Sequence, residues 1–389
     1  MIFALRSPEV GLTQPSRSHL WRFGRIFYES KKDTAHALLF SNSQMSKTLK
    51  SVVGVDVGRY SLKSVLLQKK GDSRFVVSNF ASHVFDESVE RTPDEIVKQI
   101  KSLVKQMGGG SKACAVAITT PDAFLRIIEQ PETPTEILRD ALRLNGMALL
   151  NQDCRDFVLD CDLIPTTGAA AAIHGGQKRY LVAGLPRVYV SGMSEALENG
   201  KFKDVASLQL PSVSVFNAFE FAQPDVFNNQ AFFLLDLGHT SSTMMIGVKR
   251  ELVLIRNIDF GGKTLLETLC SLSGESTSVV FKALEQEDEI IVENARMALM
   301  AFTREIGSSI GFVEGRREET IGQIWVSGGL AKNKTVLRVL GEELRMPCLA
   351  WNALDRCEIN VPASKRSRLT EDVFDYSVAC GAAVQLFNT

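Results

Sequence analysis

Two short stretches of the sequence carry the same set of chemical groups: an aspartate and a glycine that end an apolar run, followed by hydroxyl side chains. The first stretch covers residues 53–63 and the second covers residues 234–242. The groups that could do chemistry are Asp56, Gly58, Ser61 and Lys63 in the first copy and Asp236, Gly238, Thr240 and Ser241 in the second. The repetition suggests one function performed by two matching turns.

These residue types, in this order, are suited to binding phosphate. A glycine at the end of a strand lets backbone N–H groups approach phosphate oxygens closely, and a hydroxyl adds a donor. A carboxylate can hold Mg²⁺, often through water, and the ammonium of Lys63 can neutralise phosphate charge. Aspartate and glycine are also common in ordinary turns, so two unrelated hairpins are the alternative. The repeat favours two hairpins that face each other around a triphosphate.

Two glycine pairs extend this prediction to the nucleoside. The pair Gly328-Gly329 follows a predicted strand, and the pair Gly261-Gly262 precedes Lys263 at the predicted start of a helix. Because glycine has no side chain, the first pair leaves room for a flat adenine ring against the backbone.

Alternating strands and helices must position these motifs. Residues 51–119 fit three strands, a helix over Thr92–Gln106 and a fourth strand, which is typical of a mixed sheet with a crossover helix. A compact α+β subdomain is predicted at about 113–205. We therefore predict an α/β protein with a first domain over 45–230, which contains this inserted subdomain, and a second domain over 231–389.

Residues 1–44 differ from the rest of the chain. They carry six basic and three acidic side chains, show no clear periodicity and contain no apolar run of signal-peptide length. We expect a poorly ordered extension. A translation start at Met45 and a basic arm at a membrane surface are the alternatives.

The composition excludes several classes of protein. The 389 residues are 45% apolar and 23% charged, as expected for a globular chain rather than a disordered one. Lys and Arg number 44 and Asp and Glu 45, which gives no electrostatic case for a nucleic-acid partner. No apolar run approaches the ~18 residues of a membrane-spanning helix, so we expect no direct membrane insertion. The seven scattered cysteines and five histidines fit neither a disulfide framework nor a zinc site, which indicates a reducing compartment.

Taken together, the two Asp–x–Gly turns and the glycine pairs resemble the actin-like ATPase superfamily, whose members include actin, sugar kinases and the large heat-shock chaperones. Within that superfamily the chain is most similar to PilM, the actin-like protein of type IV pilus assembly, from about Lys50 to Phe387. The segments that carry this resemblance are Glu129–Pro131, Phe157–Asp160, Tyr180–Gly184, Asn257–Gly262 and Tyr376–Leu386.

The resemblance implies an actin-like fold: two related sheet-and-helix domains with a nucleotide cleft between them, and ATP with Mg²⁺ as cofactors. It implies that Asp56 and Asp236 face the metal. The remaining implied contacts are Gly58, Ser61 and Lys63 in the first phosphate loop, Gly238, Thr240 and Ser241 in the second, Gly328, Gly329 and Asn333 beside adenosine, and Gly262 and Lys263 near the ribose.

Three features depart from the family pattern. Arg59 and Tyr60 replace small residues in the first loop, and His239 stands where actins have a second acidic residue. The stretch Gln209-Leu210-Pro211 lacks the carboxylate that PilM relatives often have before this proline. Gln209 is therefore the one candidate for orienting an attacking water. We therefore expect weak ATP hydrolysis at most.

The resemblance also implies a partner. PilM-like proteins hold the N-terminal cytoplasmic tail of a PilN-like, single-span inner-membrane pilus protein, which would keep this chain in the cytoplasm at the inner membrane. We expect the tail to lie between the first sheet and the inserted subdomain, and self-association remains open. The alternatives are a small-metabolite kinase on the same fold, with Asp122 as the base, and a filament-forming protein like FtsA.

Overall fold

The computed structural model describes residues 26–27, 49–71, 73–86, 88–109, 113–120, 122–166, 176–200, 202, 205–317 and 319–387. Apart from the two-residue strand Ile26–Phe27, the predicted extension over 1–44 lies outside the described residues.

The strands of the described residues form three sheets of seven, five and three strands. In chain order the strands are β1 (Ile26–Phe27), β2 (Ser51–Val57), β3 (Ser61–Lys70), β4 (Arg74–Val84), β5 (Ala113–Ile118), β6 (Phe124–Gln130), β7 (Phe157–Leu163), β8 (Lys178–Pro186), β9 (Val205–Gln209), β10 (Ala231–Leu237), β11 (Ser242–Val248), β12 (Glu251–Ile258), β13 (Ile324–Ser327), β14 (Cys348–Ala350) and β15 (Cys357–Ile359). The first sheet has the order β1-β9-β5-β2-β3-β4-β15, the second β12-β11-β10-β13-β14, and the third β6-β8-β7.

Helices cover the sheets and join them. Within the described residues they are α1 (Pro93–Gln106), α2 (Thr135–Leu150), α3 (Arg187–Asn199), α4 (Pro211–Ala222), α5 (Pro224–Asn229), α6 (Gly262–Ser273), α7 (Thr277–Glu285), α8 (Glu289–Arg317), α9 (Lys334–Leu344), α10 (Arg366–Asp372) and α11 (Ser377–Phe387). Short 3₁₀ turns occur at Gly329–Lys332, Ala363–Lys365 and Val373–Tyr376.

The crossover helix α1 forms for the reasons that the sequence suggests. The Thr92 hydroxyl accepts a hydrogen bond from the Glu95 amide at 3.3 Å, and Pro93 occupies the first turn. The apolar side chains recur at helical spacing, and Ile96 and Ile100 are buried in the core that this helix shares with the first sheet.

The two hairpins that carry the repeated motif have the same register. Val57 pairs with Leu62 across the first turn, and Leu237 pairs with Ser242 across the second. In each hairpin the first strand also pairs in parallel with a later strand, β2 with β5 and β10 with β13. The two turns therefore lie at equivalent strand ends of the two sheets, as the repeat predicts.

The last part of the chain returns to the first sheet. β15 pairs in parallel with β4, and α11 packs on β2 and α4. The approach is very close, because a Cβ atom at Gly54 would lie 1.9 Å from the Ala379 carbonyl oxygen and one at Gly381 would lie 1.7 Å from that of Ser214. β10 begins at Ala231, where the sequence analysis starts the second domain, but β15 and α11 after it pack on the first sheet.

The inserted subdomain is narrower than the predicted range of 113–205. Its own sheet uses only β6, β7 and β8, and α2 packs on it through a small apolar cluster around Leu142. The strands at the two ends of that range, β5 and β9, both belong to the seven-stranded sheet. Among the described residues no helix has the length and apolar character needed to cross a membrane.

Candidate functional site

A cleft of about 710 Å³ opens between the two large sheets, at the strand ends where the two hairpin turns lie. Its volume is in the range of small-molecule sites, which is roughly 300–1,000 Å³. Of the residues named from the sequence, those that line the cleft are Asp56, Gly58, Ser61, Lys63, Asp236, Gly238, Thr240, Ser241, Gly262, Gly328 and Gly329. The chain therefore brings both turns and both glycine pairs to one place.

Asp56 is held at the base of the cleft by the first hairpin. It pairs with Lys63 across the β2–β3 ladder, and directly opposed residues project from the same face. Burial raises the pKa of Asp56 to about 7, with smaller contributions from the charges of Asp236 and Asp375, while Lys63 acts in the opposite direction. A carboxylate in this position favours a cation or a proton.

Asp236 takes the equivalent place on the second sheet. Burial also raises its pKa, which is opposed by a hydrogen bond from the Ser327 hydroxyl at 2.7 Å and by the charge of Lys63. Ser327 ends β13 beside Asp236 because the two strands are paired in parallel. The ammonium of Lys63 thus acts on two carboxyl groups from two different sheets, that of the buried Asp56 and that of the partly buried Asp236.

A third carboxylate, Asp375, approaches the same point from the turn before α11. One of its oxygens, Oδ2, lies 3.7 Å from the Lys332 ammonium, and the other, Oδ1, is buried with no hydrogen-bond partner among the residues that the structure describes. A buried acceptor without a donor is uncommon and costs free energy. An added cation or a water held by one would satisfy it.

The backbone of the second turn is fixed by the start of α6. The amides of Gly262 and Lys263 donate to the carbonyl oxygens of Gly238 and His239 at 3.0 and 2.8 Å. This approach requires glycine at position 261, because a Cβ atom there would lie 2.6 Å from the His239 carbonyl oxygen. The first turn is closed by its own bond, from the Gly58 amide to the Ser61 carbonyl oxygen at 3.1 Å.

The Gly328-Gly329 pair forms another wall of the cleft. Gly328 has a φ of 89°, which favours glycine, and a Cβ atom there would lie 2.3 Å from the Leu237 carbonyl oxygen. Apolar side chains from the second half of the chain, Leu266, Phe281 and Leu330, also line the cleft. Bare backbone and apolar side chains together suit the flat face of a base.

Two residues expected beside the nucleoside do not line the cleft. Asn333 begins α9, and its side-chain oxygen accepts a hydrogen bond from the Val336 amide at 3.0 Å, so that it acts as a helix cap. Lys263 is exposed, with its ammonium 3.8 Å from a carboxylate oxygen of Glu267 one turn further along α6.

The two residues suggested for catalysis are also elsewhere. Gln209 is buried, where its amide nitrogen donates to the Ala382 carbonyl oxygen at 3.2 Å and its oxygen accepts from the Ser214 hydroxyl at 2.9 Å. Its side chain joins β9 to α4 and α11 and does not reach the cleft. Asp122, the base of the kinase alternative, is exposed and does not line the cleft either.

Sequence reasoning missed three contributors to the site: Ser327, Lys332 and Asp375. Ser327 and Lys332 lie in the segment around the Gly328-Gly329 pair, so their proximity to that motif was a usable signal. Asp375 precedes the closing helix, and a single acidic residue there has no distinctive spacing.

Comparison with known proteins agrees with this geometry. Residues 195–387 match the family model of the type IV pilus assembly protein PilM. A solved structure of the PilM–PilN type IV pilus biogenesis complex is 19% identical, with a TM-score of 0.71, over 87% of this chain and 98% of that one. A search of curated proteins finds no match.

Other similar folds are more distant. The ethanolamine utilization protein EutJ from Carboxydothermus hydrogenoformans is 14% identical with a TM-score of 0.46, over 87% of this chain and 91% of that one. The activator of 2-hydroxyisocaproyl-CoA dehydratase from Clostridium difficile, solved with bound ADPNP, is 14% identical with a TM-score of 0.41, over 87% and 94%. The repeated hairpins, the cleft between the sheets and the PilM matches lead to one conclusion: the chain is a PilM-like protein with the actin-like ATPase fold.

Proposed function

We propose that this protein binds ATP with Mg²⁺ between its two Asp–x–Gly turns and acts in type IV pilus or related secretion machinery by holding the tail of an inner-membrane partner. The observation that carries the nucleotide proposal is the convergence of Asp56, Asp236 and Lys63 at the base of one cleft. Two hairpins far apart in sequence supply the groups that a phosphate–metal site needs.

The residues present fit a hydrated divalent cation. Asp56 is buried, Asp236 is partly buried, and both carboxyl groups have raised pKa values. Among the described residues Asp375 Oδ1 has no hydrogen-bond partner. Among the described residues no three acidic, histidine or cysteine side chains form a cluster that could ligate a metal directly. The ion would therefore be held largely through water, which suits Mg²⁺ because it dehydrates reluctantly.

The chain's own groups would bind and orient the phosphates. Glycines at 58 and 238 keep side chains away from the backbone of the two turns, Ser61 and Thr240 add hydroxyl donors, and Lys63 supplies positive charge. Bound Mg²⁺ would neutralise phosphate charge. The cleft lining offers no residue that the sequence marks as a water-orienting base, so we propose that turnover is slow.

The proposed partner is the tail of a PilN-like protein, and the proposal is supported by the likeness of this chain to a solved PilM–PilN complex. We place it where the first sheet meets the inserted subdomain. The chain itself puts a strand there: β1 pairs antiparallel with β9, with Ile26 opposite Leu208 and Phe27 opposite Ser207, and it also lies against β7. The outer edge of β9 therefore accepts an added strand beside the inserted subdomain, and strand addition is a common way to bind an extended peptide.

Calorimetry with ATP and Mg²⁺ tests the nucleotide site. The Lys63→Ala and Asp236→Ala variants should each bind more weakly by about 1.5–3 kcal/mol, because each loses a charge-assisted contact. Lys98→Ala is the matched control, since the Lys98 side chain is 75% exposed and pairs only with Glu95 in the same helix. If the intact protein binds no ATP, or if the control loses as much ATP affinity as Lys63→Ala does, the assignment of the nucleotide site is wrong.

The partner needs a separate measurement. A synthetic peptide of the cytoplasmic tail encoded by a neighbouring pilus membrane-protein gene should bind the full chain, measured by fluorescence anisotropy. A scrambled peptide of the same composition is the control. Absence of binding by any neighbouring tail would remove the partner proposal and leave the nucleotide site to be judged on calorimetry alone.

A further inference from the structure

The two phosphate turns contact each other through a pair of rings. Tyr60 of the first turn stacks on His239 of the second, with ring centroids 4.7 Å apart and an interplanar angle of 29°. Both side chains line the cleft, next to Gly58 and Gly238.

We propose that the Tyr60–His239 stack is a latch that holds the two turns together and closes the phosphate end of the cleft. The proposal rests on the nucleotide site proposed above, which it deepens by naming the residues that control release. Tyr60 and His239 act here as positioning residues, through the separation of the two turns.

Each ring is anchored to its own half of the molecule. On the first sheet the Phe85 amide donates to the Tyr60 carbonyl oxygen at 3.0 Å, and the Arg91 guanidinium donates to the Arg59 carbonyl oxygen at 2.6 Å. Arg91 also lies over the Phe85 ring, 4.8 Å from its centroid. The first turn is thus tied to the loop after β4 and cannot follow the second turn freely.

The second ring moves with the second sheet and α6. The His239 carbonyl oxygen accepts a bond from the Lys263 amide, and Gly261 fits beneath it without room for a side chain. A rotation of one half against the other must therefore break the stack. Tyr60 remains 49% exposed, so the rings lie at the mouth of the cleft and can part into solvent.

The latch predicts slower nucleotide release than an open pair of turns would give. An aromatic pair of this kind changes a two-state population by roughly 2- to 10-fold. Removing either ring should accelerate release by about that factor. Removing both should accelerate it no further, because either single change already abolishes the stack.

Stopped-flow release of a fluorescent ATP analogue, chased with excess ATP in the presence of Mg²⁺, tests this. The variants are Tyr60→Ala, His239→Ala and the double variant, with Tyr60→Phe as the control that keeps the ring. The latch requires faster nucleotide release in both single variants than in wild type. It also requires that the double variant release nucleotide no faster than the single variants and that the control release it at the wild-type rate. Unchanged release, or effects that multiply in the double variant, would overturn it.

A second measurement needs no nucleotide. In thermal unfolding of the nucleotide-free protein, the double variant should lower the melting temperature by less than the two single variants added together. If no ATP analogue binds, the nucleotide proposal fails, but this double-mutant cycle of melting temperatures still measures the coupling between the two rings. If the analogue binds and the cycle shows no coupling between the two rings, the latch fails alone.

Discussion

At the scale of single residues, the cleft places acidic groups where they are costly. Asp56 is buried beside two other carboxylates, and Lys63 offsets only part of that cost. Asp375 adds a buried oxygen that nothing in the described chain satisfies. Such an arrangement lowers stability in the absence of a ligand and gives a cation more to gain on binding.

The cost of the Asp56 charge should appear in the pH dependence of stability. Its pKa is about 7 in the folded protein and near 3.8 when unperturbed, so the folded state binds the proton more tightly. Stability is then greatest below the unfolded pKa and falls as the pH rises from about 4 to about 7. Asp56→Asn should remove this fall and raise the free energy of unfolding at pH 8 by roughly 1–4 kcal/mol, since one pKa unit is about 1.4 kcal/mol.

Urea unfolding at pH 5 and pH 8, without Mg²⁺ or nucleotide, measures this effect. Asp140→Asn is the control, because the Asp140 side chain is 75% exposed and should make little difference at either pH. An Asp56→Asn variant less stable than wild type at pH 8 would show that the carboxylate is stabilised by contacts rather than strained by burial.

Slow turnover is also a residue-scale expectation. Gln209 uses both ends of its amide in the core, and Asp122 points to solvent, so neither can orient a water in the cleft. We expect hydrolysis well below about 1 s⁻¹, the low end of ordinary enzymes. Phosphate release under saturating ATP with Mg²⁺ measures it. Faster turnover that disappears in Asp236→Ala would show that the cleft holds a base of its own.

At the scale of elements, the sequence predicted what local patterns determine. Both hairpins, the crossover helix α1 and the strand before Gly328 follow from apolar runs bounded by turn residues, and all are present. The return of β15 and α11 to the first sheet was not predicted, because parallel pairing with β4 leaves no signal in a three-residue strand. The Tyr60–His239 contact was equally invisible, since its two residues meet only once both sheets are assembled.

The edge of β9 gives an element-scale prediction about the partner. β1 already occupies this edge, so a tail that adds a strand there must displace it. Successive residues of a strand direct their N–H groups to opposite sides. Replacing Ile26 and Phe27 together by proline therefore removes the donor that β1 offers to β9, whichever of the two residues supplies it, and should free the edge. If that edge is free only a tenth of the time in wild type, the apparent affinity for the tail peptide should rise about tenfold.

Fluorescence anisotropy with the tail peptide and the full chain checks this expectation. Ile26→Val with Phe27→Tyr is the matched control, because both residues keep their amides and favour strands. The control should bind as wild type does. Equal affinity of the proline variant and wild type would place the tail away from β9, on another surface of the first sheet or the inserted subdomain.

At the scale of the whole molecule, three bodies are joined by two kinds of contact. α4 and α11 pack closely beneath the first sheet, and the core around them includes side chains from β10 and β11 such as Phe232 and Met245. The inserted subdomain reaches the second sheet through a buried ion cluster. There the Arg179 guanidinium of β8 donates to Glu251 at 2.5 Å and to the Val253 carbonyl oxygen at 2.7 Å, while Arg317 at the end of α8 also donates to Glu251.

This cluster should behave as a unit that sets how the subdomain sits on the second sheet. Glu251 is 1% exposed and bridges two guanidinium groups that would otherwise face each other in the interior. Glu251→Ala should therefore destabilise the protein by about 3–5 kcal/mol, because breaking a buried pair leaves charge uncompensated. The exposed Arg143–Asp140 pair is the control, and Asp140→Ala should cost about 0–1 kcal/mol.

Urea unfolding followed by tryptophan fluorescence distinguishes two consequences. If the cluster supports the whole fold, Glu251→Ala shifts a single transition to lower urea. If it supports only the packing of the inserted subdomain on the second sheet, the urea midpoint of the main transition changes little. Amide exchange then becomes faster in β6, β7 and β8 alone, because those strands lose their contact with β12. A Glu251→Ala variant could instead be as stable as wild type, with unchanged amide exchange in all three strands. The close packing around α4 and α11 would then suffice to hold the two large sheets and the inserted subdomain together, and the buried charges would add no stability.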